Sequence, residues 1–289
     1  MRIEILVDRR SVLGEGPVWD VDEQRLYWID SIGREVYRAR EDGSHFESRP
    51  VSGDIGSLAL RKSGGLVLSL ADGFYFFDFD SGKSEKILDP EPDLPQTRVN
   101  DGKVDKRGRF IAGTMDRTEG KSICGLYRLD PDLSCHKIES NIRVSNGPCW
   151  SPDGKIFYFT DSWTYTIVAY DYDLDKGTLS NKRLFANTKE RKGAPDGSTV
   201  DAEGYLWNAQ IYGGYLVRYT PEGKTDRVIE FPIIKCSSVM FGGKNLDVLY
   251  VTTMGKWCEQ FGPTQPKGGS LFAVYDLGVK GVPEPRFAG

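Results

Sequence analysis

The sequence predicts an all-β fold: a six-bladed β-propeller built from four-stranded antiparallel blades. Three observations predict it. Long helical periodicity is missing, and short apolar or alternating runs stand in its place. Those runs recur at a steady period. Turn residues are abundant, with Gly at 33 of 289 positions, roughly 11% against a usual value of about 7%. The aromatic content of 12% suits pleated surfaces.

The elements follow in order along the chain. RIEILVD opens it as a strand that precedes the first full repeat. The runs RLYWID, GLVLSL, RFIAGT, KIFYFTD, YLWNAQ and VLYVTT come next, each rich in aromatic and β-branched residues. Most follow a turn such as KSGG, DKRG, SPDG or DAEG. One equivalent position from each run is Leu26, Leu66, Phe110, Phe157, Leu206 and Leu249; the spacings are 40, 44, 47, 49 and 43 residues. A further strand pair follows most of them, as in EVYRARED, GLYRLDPD and YLVRYTPEG. Six repeats of about 45 residues, each with four short strands, predict six blades. The first strand is expected to pair with the last blade and close the ring, because SLFAVYDL otherwise leaves a sheet edge open. No linker or composition break divides residues 1–289, so one domain is expected. Two packed β-sandwiches, the competing architecture, do not predict six-fold register.

Composition excludes several functions. Net charge is 38 − 42 = −4, which leaves no broad basic footprint for nucleic acid. The longest apolar runs are strand-length and predict no membrane span. The start, MRIEILVDRRSVLGEG, carries charges inside its apolar stretch and does not read as a signal peptide. Five cysteines, Cys124, Cys135, Cys149, Cys236 and Cys258, show no metal-binding spacing and suit a reduced cytoplasm. The two histidines, His45 and His136, lie in turn-like or charged surroundings and are expected at the surface. A His-rich zinc site or a Ser-His-Asp triad then lacks its essential part. Chemistry is left to carboxylates, amides, Arg or Lys, or to a metal held by oxygen.

The repeat also aligns the segment before each apolar run. The aligned instances are Glu15-Gly16-Pro17, Ile55-Gly56-Ser57, Asp101-Gly102-Lys103, Asn146-Gly147-Pro148, Asp196-Gly197-Ser198 and Cys236-Ser237-Ser238. In a propeller the innermost strand of each blade lines the channel, so these positions converge on one mouth. Four are polar: Glu15, Asp101, Asn146 and Asp196. Three carboxylates near one axis repel unless a cation lies between them. Oxygen donors suit Ca²⁺, Mg²⁺ or Mn²⁺, and Zn²⁺ or Fe²⁺ can use them too. Asx-turn chemistry alone is the simpler explanation for any single instance.

LGEGPVWD, RVNDGKVDKRGRFIAGTM, SNGPCWSPDGKIFYFTDS and APDGSTVDAEGYLWNA carry a family resemblance. They are similar to the signatures of the SMP-30/gluconolactonase/LRE family, which includes regucalcin, gluconolactonase and bacterial xylonolactonases and arabinolactonases. The likeness runs in order along essentially the whole chain. It implies a six-bladed propeller with one divalent metal at the channel mouth. The implied ligands are Glu15, Asn146 and Asp196. Arg98 and Asn100 are implied to contact substrate. Asp101 keeps two roles open, substrate contact or support of the loop or a metal-bound water. One departure from the family follows GTM, in Met115-Asp116-Arg117-Thr118-Glu119-Gly120. Relatives often carry a longer acidic lid there, and here Glu119 or Asp116 can fill that place.

The resemblance implies a hydrolase that opens an aldono-1,4- or 1,5-lactone to its aldonic acid, dependent on one divalent ion: Ca, Zn, Mg, Mn or Fe(II). Asp196 is the expected general base, and Arg98 and Asn100 are expected to donate to developing negative charge. Tyr212, Trp163 and Met115 either pack on the sugar or fill space between blades. The expected partner is a small sugar lactone, with no nucleic acid or membrane. The chain is expected to be a monomer or weak homo-oligomer in the cytoplasm. The alternatives are a regucalcin-like calcium-binding protein without significant turnover, or a metal-dependent hydrolase of other esters.

Overall fold

In the computed structural model, residues 1–256 and 264–289 are described; Cys258 lies outside them. Strand β1 (Arg2–Val7) comes first. Blade 1 holds β2 (Gly14–Asp20), β3 (Arg25–Asp30), β4 (Glu35–Arg40) and β5 (Glu47–Pro50). Blade 2 holds β6 (Ile55–Leu60), β7 (Leu66–Leu70), β8 (Gly73–Asp78) and β9 (Lys83–Leu88). Blade 3 holds β10 (Thr97–Val104), β11 (Phe110–Asp116), β12 (Cys124–Leu129) and β13 (Cys135–Ile142). Blade 4 holds β14 (Ser145–Trp150), β15 (Ile156–Asp161), β16 (Thr166–Asp173) and β17 (Thr178–Asn187). Blade 5 holds β18 (Ala194–Val200), β19 (Leu206–Ile211), β20 (Tyr215–Tyr219) and β21 (Thr225–Glu230). Blade 6 holds β22 (Cys236–Gly242), β23 (Val248–Thr253), β24 (Leu271–Tyr275) and, outermost, β1.

The architecture is the six-bladed, four-stranded antiparallel propeller that the repeat predicts. β1 pairs antiparallel with β24, from Arg2 opposite Tyr275 to Val7 opposite Leu271, and closes the ring. The innermost strands β2, β6, β10, β14, β18 and β22 each pack against the next, and β22 returns to β2.

The core lies between blades rather than within them. Trp19, Leu26 and Trp28 of blade 1 pack with Tyr250, Leu271 and Ala273 of blade 6. Val18, Tyr27 and Ile29 on the other face of blade 1 pack with Leu58, Leu60 and Leu68 of blade 2. The same holds at every further seam. A blade alone would leave both faces in water, so the ring is stable only when closed. His45 and His136 are exposed, as expected. Among the described residues, no helix is long and apolar enough to cross a membrane.

After β24 the chain does not end at the rim. Residues 277–289 cross the far end of the channel. Gly281 N donates to Leu246 O at 2.8 Å, Phe287 N to Leu60 O at 2.8 Å, and Ala288 N to Gly108 O at 2.9 Å. Phe287 is fully buried. This strap ties blades 6, 2 and 3 together across the axis.

Candidate metal and substrate site

Each innermost strand carries a β-bulge near its start. The register slips between Glu15 and Val18, Ile55 and Ser57, Val99 and Gly102, Asn146 and Cys149, Pro195 and Ser198, and Cys236 and Ser238. A bulge adds one residue and re-aims a side chain. Counting back from the paired positions Trp19, Leu60, Val104, Trp150, Val200 and Phe241 puts six residues in one register. They are Glu15, Gly56, Asn100, Asn146, Asp196 and Ser237.

This corrects the sequence alignment in three blades. Ile55, Asp101 and Cys236 each lie one residue off the ring. A one-residue slip along a strand turns a side chain to the other face, and the bulge hides that slip from residue counting. Asn100 therefore takes the ring position of blade 3 and lines the cavity, whereas Asp101 does not. The Asp101 carboxylate instead accepts the N–H of Gly102 and, across the seam, the N–H of Gly147, both at 2.8 Å. Gly147 needs its missing side chain. Its φ is +58°, and a Cβ there would lie 2.8 Å from the Asp196 carbonyl oxygen.

Glu15, Asn146 and Asp196 line one cavity of about 220 Å³, together with Arg98, Asn100 and Glu119. Met115, Trp163 and Tyr212 line it as well. Asp116 does not; its carboxylate is spent on Thr118 Oγ1 and on the N–H groups of Gly120 and Lys121 in its own turn. That turn presents Glu119, whose Oε2 accepts the indole N–H of Trp163 at 2.6 Å.

Supporting residues fix these side chains. Asp30 accepts from the N–H groups of Val12 and Leu13 just before Glu15. Asp161 accepts from Arg143 and Val144 just before Asn146. Asn146 donates from Nδ2 to Ser162 Oγ at 2.8 Å, so Oδ1, which also accepts from Asn100, is the atom whose second lone pair can face a cation. Asn100 donates from Nδ2 to Ser145 O at 2.8 Å and to Asn146 Oδ1 at 3.0 Å. Both of its N–H groups are thus engaged, so its free atom is the acceptor Oδ1. The sequence signal for Asp30 and Asp161 is a shared Asp-Ser after the second strand, in Asp30-Ser31 and Asp161-Ser162. Asp54, one residue before β6, also lines the cavity and was missed because the alignment stopped at Ile55.

Burial and like charge dominate the electrostatics of the site. Burial, then the charges of Asp196 and Asp101, raise the Glu15 carboxyl well above its ordinary range. Burial, then Asp101 and Glu119, do the same to Asp196. Burial pushes Asp101 up to about 6. Arg98 is buried too, and desolvation lowers its pKa. Lining carboxylates Glu15, Asp54, Glu119 and Asp196 oppose only Arg98 and Arg117, a balance of −4 + 2 = −2. One divalent ion would neutralise it. Among the described residues no three His, Cys, Asp or Glu side chains cluster as ligands. The set here is two carboxylates and an amide oxygen, which fits a hard divalent ion.

Comparison with known proteins agrees with this architecture. Regucalcin from Xenopus laevis is 37% identical over 296 residues, covering 100% of this chain and 99% of that protein. A luciferin-regenerating enzyme superposes with a TM-score of 0.94 at 29% identity, covering 100% of this chain and 99% of the other. A calcium-binding protein, regucalcin from Agrobacterium tumefaciens, superposes with a TM-score of 0.91 at 26% identity, covering 99% and 97%. Residues 13–255 match the SMP-30/Gluconolactonase/LRE-like region. The chain belongs to the SMP-30/gluconolactonase/LRE-like family.

Proposed function

We propose that this protein is a divalent-metal-dependent lactonase that opens a sugar lactone to its aldonic acid. The observation that carries the proposal is Arg98. Its guanidinium is buried and lines the same cavity as Glu15 and Asp196, and among the described residues its one hydrogen bond is from Nη1 to Val99 O at 3.2 Å. Five N–H donors are fixed on that group. A site that only held an ion has no use for spare buried donors or for a cavity of about 220 Å³.

Glu15, Asn146 and Asp196 would hold the ion. When bound, it supplies Lewis-acid polarisation of an ester carbonyl and acidifies water. Asp196 takes a proton from the attacking water. The water oxygen bonds to the lactone carbonyl carbon, the ring C–O bond breaks, and the proton passes to the departing ring oxygen. Arg98 donates to the charge that develops on the carbonyl oxygen. Asn100 accepts from a substrate hydroxyl through Oδ1, since its N–H groups are engaged. Asp101 acts as a positioning residue through the Gly147 N–H, which sets the bulge beside Asn146. Glu119, held by Trp163, meets substrate at the cavity wall.

The experiment strips the metal and restores one ion at a time, over aldono-1,4- and 1,5-lactones and aryl esters. Turnover of sugar lactones that returns with an ion supports the proposal. Turnover that survives complete chelation overturns it. A second reading is calcium binding without turnover; its support is likeness to the calcium-binding protein regucalcin from Agrobacterium tumefaciens. Tight calcium binding with no hydrolysis of any lactone would establish that reading instead.

A further inference from the structure

The metal-binding residues lie on blades 1, 4 and 5. The opposite wall, at the seam of blades 2 and 3, has its own polar group. Asp54 and Arg117 both line the cavity there. Asp54 Oδ1 accepts from Arg34 Nε at 2.9 Å, which anchors the carboxylate. Its Oδ2 faces Arg117 Nη1 at 3.8 Å. That separation exceeds a hydrogen bond. Arg117 is held in turn by its Nε, which donates to Thr97 O at 3.1 Å. Among the described residues Oδ2 has no hydrogen-bond donor.

An acceptor and a donor held 3.8 Å apart leave a gap that one hydroxyl can bridge. It donates to Oδ2 and accepts from Nη1, as a bridging water does. Asp54 is also the anion that acts most strongly on buried Arg98. The seam therefore joins the group that meets the carbonyl to a second recognition point.

We infer that Asp54 and Arg117 together bind a substrate hydroxyl away from the reacting carbonyl, and so select polyhydroxylated lactones over unsubstituted ones. This inference rests on the lactonase reading for its substrate class. It assigns specificity to residues that carry no part of the bond-breaking step. Asp54 and Arg117 are 18% and 42% exposed, so a ligand that lacks the hydroxyl leaves them to water and forgoes the charge-assisted contact that a polyol gains.

The test uses D-glucono-1,5-lactone and δ-valerolactone with the metal-loaded protein. The readout is the ratio of their kcat/KM values. In Asp54→Asn this ratio falls by about tenfold to a hundredfold, with the loss carried by the polyol lactone. In Arg117→Met it falls by a smaller factor, and this variant keeps the test open should Asp54→Asn not fold. Equal losses on both lactones overturn the inference, because Asp54 then acts only through Arg98. An unchanged ratio overturns it as well. Should the wild-type protein hydrolyse neither lactone, the lactonase reading fails separately. Calorimetry with the unreactive gluconolactam and δ-valerolactam then reads the same ratio as affinities. A ratio that is the same in wild type and in both variants overturns the inference there.

Discussion

The two ends of the channel use buried carboxylates in opposite ways. At the far end, Asp20, Asp105 and Asp201 occupy one register position, just past the paired residues Trp19, Val104 and Val200. Each meets an arginine. Asp105 accepts from Arg109 Nε and from the Tyr172 hydroxyl, both at 2.6 Å. Asp201 accepts from Arg218 Nε and Trp207 Nε1, both at 2.9 Å. Asp20 accepts from Arg286 of the strap. At the near end, among the described residues, no arginine or lysine ion-pairs or hydrogen-bonds with Glu15 or Asp196, and each is pushed toward its neutral form. Burying a charge costs several kcal/mol unless it is paired. The far end offsets that cost within the chain and is structural. The near end does not, and under the proposed function a cation would do so there.

The largest expected effect breaks the near end. Asp196→Asn removes a ligand and the proposed base. Losing a mere supporting partner of a metal ligand costs about 10–100-fold, so turnover should fall by on the order of a thousandfold or more. The melting temperature without metal should hold or rise, because the cost of burying an ionisable carboxyl, as its charge or as its bound proton, has gone. A variant that loses activity only by unfolding would erase the contrast between the ends.

Breaking the far end should do the reverse. Asp201→Ala takes the buried carboxylate from Arg218, which is 5% exposed and keeps Glu203 and Asp226, and leaves the Trp207 indole N–H without its acceptor. The cost is about 2–3 kcal/mol, or roughly 5 °C in Tm. Turnover per folded molecule should stay within about twofold. Calorimetry and active-site-normalised rates check both halves; a selective loss of kcat would place Asp201 in the site.

The pH dependence sharpens the contrast. Glu15 and Asp196 hold protons in the folded, metal-free chain at pH values where the unfolded chain has released them. Stability of that form is fully present below the ordinary carboxyl pKa and is lost as pH rises through the raised values. An ion needs both groups charged, so protons compete with it. The rise in Tm on adding metal should be large near about pH 7.5 and shrink toward about pH 5. A constant rise over that window would remove these carboxylates from the metal site.

The smallest effect concerns the rim. Trp163→Phe removes the N–H that Glu119 accepts but keeps most of the ring. A hydrogen bond to a charged group is worth about 1.5–3 kcal/mol in total, and Glu119 can recover part of it from water. KM for a sugar lactone should rise by roughly threefold to tenfold with kcat nearly kept. A change confined to kcat would contradict a binding role.

Much of this is local chemistry and therefore visible in the chain. Leu26, Leu66, Phe110, Phe157, Leu206 and Leu249 all pair with the end of an innermost strand, so the repeat they mark is the blade itself. Strand periodicity, turn residues and the unpaired edge of the last blade require only neighbours in sequence. The ring positions of Glu15, Asn146 and Asp196 follow from that repeat. Three features do not. Asn100 rather than Asp101 faces the cavity because a bulge adds a residue that no spacing shows. Asp54 reaches the cavity from a loop, and Arg117 from another blade. Residues 277–289 cross the axis through single contacts to distant blades, without any periodic signal. The sequence by itself determined the blades, their number and which donors converge, because those depend on period and residue type. Only the tertiary structure decided which face each side chain takes and which charges go unpaired, because both depend on register and on partners hundreds of residues apart.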